Sequence, residues 1–146
     1  MNSEEKSEKL KRVLLNWQKS MSDFDEVNVR QAMHASTKAD VAIRMCHPFG
    51  DLENSDNIYE KIYSPLNASL PDLERRDLIV IAGCTPEGDN WIGCMGNYMG
   101  TFLAPFLGIP ATGSLAHMRY HEFFRIDEDK ISEMHFIWDI PELMMQ

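Results

Sequence analysis

Apolar residues recur at helical spacing across residues 4–21, where Leu10, Val13, Leu14, Trp17 and Met21 form one stripe with polar positions between them. This spacing predicts an amphipathic helix. A second helix is predicted from about Asp25 to Thr37, with a thinner stripe of Val29, Ala32 and Met33. Val41 to Cys46 reads as a short strand ended by His47-Pro48-Phe49-Gly50. Asn54-Ser55-Asp56 is a helix N-cap cluster. The helix it opens carries Ile58, Ile62 and Leu66 on one line and Tyr59 and Tyr63 beside them, and Pro65 is expected to kink or tighten its last turn. Pro71-Asp72 breaks the chain.

After Arg76 the period shortens to two. Leu78 to Ala82 is a predicted strand, residues 85–90 a turn, and Trp91 to Phe102 the next strand. Gly93, Gly96 and Gly100 within that strand are expected to mark bulges or sharp bends. A Pro/Gly-rich loop follows over residues 104–113. Leu115 to Ile126 and Ile131 to Trp138 form a hairpin around Asp127-Glu128-Asp129. A short closing helix is capped by Asp139, with Pro141 in its first turn and Glu142 at the third helical position of a capping box. Helices first and a meander of strands afterwards predict an α+β class, in one domain spanning 1–146.

Composition fits that picture and narrows the partners. The chain has 146 residues, 44% hydrophobic and 25% charged, which suits a globular domain with a real core. A net charge of −9 with no Lys/Arg cluster argues against nucleic acid. The charged stretch Met1 to Leu10 is not a signal peptide, and no apolar run reaches the roughly 20 residues needed to span a bilayer. Cys46, Cys84 and Cys94 make an odd count with no CxxC, which points to reduced thiols in the cytoplasm. A Cys84–Cys94 bridge across the hairpin is the alternative.

The predicted strand 115–126 carries the candidate chemistry. One face holds Ala116, Met118, Tyr120, Glu122, Phe124 and Ile126, so Glu122 is the only charged group on an apolar wall. A carboxylate there loses hydration and becomes a candidate acid or base. The same placement suits a Glu paired with an Arg of a neighbouring strand. If the hairpin turns around 128–130, Glu122 lies opposite Phe136. The five histidines, His34, His47, His117, His121 and His135, have no tight ligand spacing, so neither a metal nor a cofactor is expected. No Walker, dinucleotide or nucleophile-elbow pattern is present. Tyr98, Phe102, Tyr120, Phe136 and Trp138 supply apolar lining, with Arg119 and His47 as polar candidates for orienting a substrate.

The segments Gly-Ile-Pro-Ala-Thr-Gly (108–113), Arg119-Tyr120-His121-Glu122-Phe123, Lys130-Ile131 and Asp139-Ile140-Pro141-Glu142-Leu143-Met144-Met145-Gln146 together resemble the SnoaL-like polyketide cyclase family, in the nuclear transport factor 2-like superfamily. The front segments Pro48-Phe49-Gly50-Asp51-Leu52 and Pro71-Asp72-Leu73-Glu74-Arg75-Arg76 resemble an uncharacterised branch of it. The resemblance implies a cone in which helices pack against a strongly curved, mostly antiparallel sheet. It implies an apolar cavity and cofactor-independent acid/base chemistry, such as aldol-type cyclisation, isomerisation or hydrolysis. The His of the aldol-type cyclases falls on Glu122 here and their Asp on Phe136, so one carboxylate remains, on the other strand. The expected function is therefore a cyclase-type protein acting on a hydrophobic small molecule through Glu122. The alternatives are a non-catalytic binder of such a molecule and a dimerisation module. His117, His121, Phe123, His135 and Ile137 on the outer sheet face suggest a homodimer.

Overall fold

The N-terminal stripe is the buried face of α1 (Ser3–Ser22), which Asn2 opens with a capping box: its side chain accepts from Glu5 N at 2.8 Å and the Glu5 carboxylate accepts from Asn2 N at 3.1 Å. The computed structural model describes residues 2–146. The chain continues through α2 (Glu26–Ser36), β1 (Thr37–Met45), β2 (Asp51–Glu53) and α3 (Ser55–Ile58). A π-helical turn (Tyr59–Tyr63) then leads into α4 (Ser64–Ser69). The remainder is β3 (Glu74–Cys84), β4 (Asn90–Thr101), β5 (Leu115–Asp127), β6 (Lys130–Trp138) and α5 (Ile140–Met144).

The six strands form one sheet in the order β2-β1-β6-β5-β4-β3. Every neighbouring pair is antiparallel except β1 and β6, which run parallel from Thr37↔Ile131 to Met45↔Phe136. The helices cover its concave face. Leu10, Leu14, Trp17 and Met21 of α1, Val29 and Met33 of α2, and Ile58, Ile62, Tyr63 and Leu66 of the third helical stretch meet Tyr98, Met118, Tyr120, Phe124, Phe136 and Trp138. This is the α+β class expected from the order of elements, in the cone that the family resemblance implied.

Several boundaries differ from the sequence reading, each for a physical reason. β1 starts at Thr37 rather than Val41, because the Thr37 N–H and hydroxyl both bond the Met33 carbonyl and turn the chain straight from α2 into the strand. β2 was not anticipated; it is three residues pairing Leu52 with Ile43. The predicted kink at Pro65 is a π turn. In a regular helix the proline ring would clash with the Lys61 carbonyl, and the wider turn relieves this.

The expected bulges in β4 lie elsewhere. β4 pairs with β5 unbroken from Asn90↔Ile126 to Thr101↔Leu115. The irregularity is on β3, where Leu78 is extra between the Asp77↔Gly96 and Ile79↔Met95 pairs. Gly96 is needed for close approach instead. A Cβ there would run into the Arg76 carbonyl oxygen of the bulging strand and stand 2.5 Å from Tyr120 Oη. The hairpin turn follows the sequence reading, with Glu128 and Asp129 at φ of 52° and 62°. The closing helix follows it in its cap, where the Asp139 carboxylate accepts from Glu142 N at 3.1 Å, but the return bond of a capping box is absent because the Asp139 N–H donates to the Arg119 carbonyl. Gln146 pins the end of the chain to β5, its side chain bonding both the N–H and the carbonyl of His117.

Candidate functional site

Alternation along β5 buries Ala116, Met118, Tyr120, Glu122, Phe124 and Ile126 and exposes Leu115, His117, Arg119, His121 and Phe123. Glu122 pairs with Phe136 on β6 and Cys94 on β4, the register expected from the hairpin. Its side chain is 0% exposed. Three donors converge on it: the Arg75 guanidinium on Oε1, and Tyr98 Oη at 2.8 Å and Trp138 Nε1 at 2.9 Å on Oε2.

Arg75 is supplied by β3, where register sets it opposite Tyr98. Its Nη1 also donates to Tyr98 Oη at 2.9 Å, and its Nε and Nη2 donate to Asp77 at 3.3 and 3.0 Å. The guanidinium lies over the Tyr120 ring, 4.2 Å from its centroid. Tyr120 Oη passes across the bare backbone of Gly96 to donate to Asp77 at 2.5 Å. Tyr63 Oη stands 3.3 Å from Tyr98 Oη and extends the chain of hydroxyls toward the helices. One cation and two carboxylates thus share a cluster enclosed by aromatic rings.

Burial sets the protonation of this cluster, and the charges inside it modify the result. Burial works against the Arg75 charge, but Glu122, Tyr98, Asp77 and Tyr120 together outweigh it and hold the guanidinium more firmly protonated than usual. Burial, then the charge of Glu122, pushes Tyr98 and Tyr63 well above the ordinary tyrosine value, so both remain neutral donors. Burial likewise pushes the Cys94 thiol up to about 12. The cluster is therefore one positive donor fork and several neutral hydroxyls arranged around carboxylate oxygens.

Of the residues singled out in the sequence, Tyr98, Tyr120, Phe136 and Trp138 surround Glu122; Phe136 packs edge-on against Phe124 at 5.3 Å between centroids. Phe102 is buried at the end of β4, where its N–H bonds the Ser114 carbonyl. Arg119 stands on the opposite, exposed face of β5. His47 is exposed in the β1–β2 loop. It lines a cleft of about 680 Å³ at the end of the cone, with Pro48, residues 107–110, Ile140, Pro141 and Met144. Sequence reasoning missed Arg75, Asp77 and Tyr63. The signal for the first two was there: Leu73, Arg75 and Asp77 alternate inward as a strand does, but four consecutive charged residues, Glu74 to Asp77, masked it.

Cys46, Cys84 and Cys94 are unbridged. Among the described residues no cluster of His, Cys, Asp and Glu is arranged to hold a metal ion, and no helix is long and apolar enough to cross a membrane.

Neither a protein-family model nor a curated protein matches the sequence. Solved structures do match its fold. A protein from Jannaschia sp. CCS1 assigned as a SnoaL-like polyketide cyclase superposes with a TM-score of 0.76 at 17% identity, over 96% of this chain and 94% of that one. AclR from Streptomyces galilaeus, assigned as a hydroxylase, gives 0.74 at 17% identity over 94% and 83%. IdmH from Streptomyces antibioticus, assigned as a polyketide cyclase, gives 0.74 at 14% identity over 93% and 96%. The fold is that of the SnoaL-like and nuclear transport factor 2-like proteins, as the sequence motifs implied. Identities this low speak to architecture and leave the reaction open.

Proposed function

We propose that this protein binds a hydrophobic small molecule, with the Glu122 cluster serving as the polar anchor of the cone. The observation that carries the reading is the state of Glu122: no exposed surface, and both oxygens engaged by Arg75, Tyr98 and Trp138. A general base must reach the proton it removes. Here the carboxylate is committed to tying β3, β4, β5 and β6 together. The three unbridged thiols suit a reducing compartment such as the cytoplasm.

A second reading keeps the acid/base chemistry. Its support is the position of the carboxylate, on the inner wall of β5 among Tyr98, Tyr120, Phe136 and Trp138, in a fold whose solved examples include proteins assigned as polyketide cyclases. In that reading the acidic C–H next to a ligand carbonyl takes the place of Trp138 or Tyr98 at Glu122, and the carboxylate takes that proton. The freed N–H or O–H donates to the carbonyl oxygen, which carries the charge of the enolate that forms. Arg75 keeps the carboxylate oriented; Arg119, on the outer face of the sheet, and His47, in the end cleft, take no part at the reacting carbon. A thermal-shift screen of aromatic and polyketide-like carbonyl compounds, followed by NMR of each hit for chemical change, separates the two. Stabilisation with no conversion supports the binder. Conversion abolished by Glu122→Gln supports the enzyme. No stabilisation by any compound overturns both.

The outer sheet face supports a second proposal, self-association. Ile79 and Ile137 align across the sheet in the row that holds Met95 and His121, and Ile81 and Phe123 in the next, so apolar side chains line solvent over four strands. A second copy of the chain is the partner that such a self-complementary stripe fits.

A further inference from the structure

We propose that the cleft at the end of the cone is the ligand site itself. Its ligand would be an apolar ring system carrying one acidic or hydrogen-bond-accepting oxygen that meets His47. This rests on the small-molecule reading above and assigns that reading a place outside the filled interior.

Three segments build the cleft. His47 and Pro48 come from the β1–β2 loop, Leu107 to Pro110 from the β4–β5 loop, and Ile140, Pro141 and Met144 from α5. Its volume of about 680 Å³ falls within the range that small-molecule sites occupy. Prolines and aliphatic side chains make up most of the lining, and His47 is its one ionisable residue. In a chain of net charge −9, a lining free of carboxylates removes the repulsion that the rest of the surface offers an acidic ligand.

The second observation is strain. Leu107 is held at φ 51°, in the left-handed region that a branched residue avoids, and Gly108 follows at φ 78°. Reciprocal bonds between Phe106 and Ile109, at 3.1 and 2.8 Å, lock this two-residue turn. Asn or Gly would fit the backbone better. Leu pays for its place by putting a partly exposed isobutyl group on the cleft wall.

The cleft is also coupled to the buried cluster. Each wall adjoins an aromatic residue of the interior: Pro48 precedes Phe49, Leu107 follows Phe106, and Ile140 lies two residues after Trp138. Phe49 packs against Phe106 at 6.3 Å and edge-on against Trp138 at 5.9 Å, and Trp138 donates to Glu122. A molecule in the cleft therefore presses on the layer that ends at Trp138.

The test uses two probes of one shape, 8-anilinonaphthalene-1-sulfonate and its uncharged analogue N-phenyl-1-naphthylamine, titrated against the intact protein. Met144→Glu and Ile109→Glu should weaken both by tenfold or more. His47→Leu should weaken the sulfonate by about tenfold and leave the neutral probe unchanged, the loss expected for one charge-assisted hydrogen bond. Leu107→Asn should raise the melting temperature while weakening both probes, a combination that a purely structural leucine would not give. Binding should shift the indole N–H resonance of Trp138, assigned with Trp138→Phe. Probe affinity that survives Met144→Glu and Ile109→Glu, or that falls only with Phe123→Lys on the outer sheet face, overturns the site but not the binding function. No binding by the wild-type chain overturns the function as well.

Discussion

Arg75 and Glu122 each have no exposed side-chain surface, and the hydration each gives up is replaced by the other together with Asp77, Tyr98 and Trp138. Glu122→Gln should keep a partner for Tyr98 and Trp138 but leave the buried guanidinium with half-buried Asp77 as its remaining charged partner, at a cost of about 3–5 kcal/mol. The double variant Arg75→Met/Glu122→Leu should recover part of that loss, because no lone buried charge of the pair remains, while the Trp138 N–H that loses its acceptor keeps the recovery incomplete. Urea denaturation of the three variants measures both, and a double variant no more stable than the single one would contradict the account. Cys94 offers a second measurement nearby. With its thiol pushed up to about 12 by burial, it should not react with a disulfide reagent at pH 8 in the native protein, whereas exposed Cys84 should react at once and half-buried Cys46 more slowly. A third equivalent titrating before unfolding would contradict it.

Among the elements, the turn between α4 and β3 is tied to the end of β4 by the carboxylate of Asp72. Asp72 accepts from Thr101 N at 2.6 Å and from Thr101 Oγ1 at 2.7 Å, and these bonds hold its pKa below the usual carboxylate value. The folded state favours the ionised form, so Asp72 contributes its full stability above the ordinary range near pH ~4. That contribution drains away as pH falls through the lowered folded value. The difference in melting temperature between wild type and Asp72→Asn should be largest at pH 7 and shrink in acid; a difference that grows in acid would reverse the sign. Elements with a clean period were legible in the sequence: the α1 stripe, the β5 alternation and the Asp139 cap all stand where the pattern put them. The first half of β3 was not, because burying Arg75 requires Glu122, and that partner lies on a strand nearly fifty residues away. Glu122 could be read as a lone carboxylate on an apolar wall, and pairing with an Arg was one of its two readings. Which Arg is a property of the sheet register, as is the close approach over Gly96, where the missing Cβ lets Tyr120 reach Asp77.

For the whole molecule, the curved sheet buries one face under helices and leaves the other with exposed Ile79, Ile81, Phe123 and Ile137. If a second copy covers that stripe, sedimentation at micromolar concentration should give a dimer, and Phe123→Lys/Ile137→Lys should give a folded monomer with an unchanged melting curve below the dissociation point. A wild-type chain that sediments as a monomer at every concentration would dismiss the partner.

The parallel pairing of β1 with β6 has a consequence for synthesis. Met45 leaves the ribosome about ninety residues before its partner Phe136, a wait of roughly 5–20 s at ordinary elongation rates. During that interval Val41, Ile43 and Met45 have only the helices and the three residues of β2 to shield them, while β3, β4 and β5 can already zip together as neighbours in sequence. The last strand made is therefore the one that joins the two halves of the sheet. A released chain ending between Asp127 and Lys130 would hold both halves and be unable to close them.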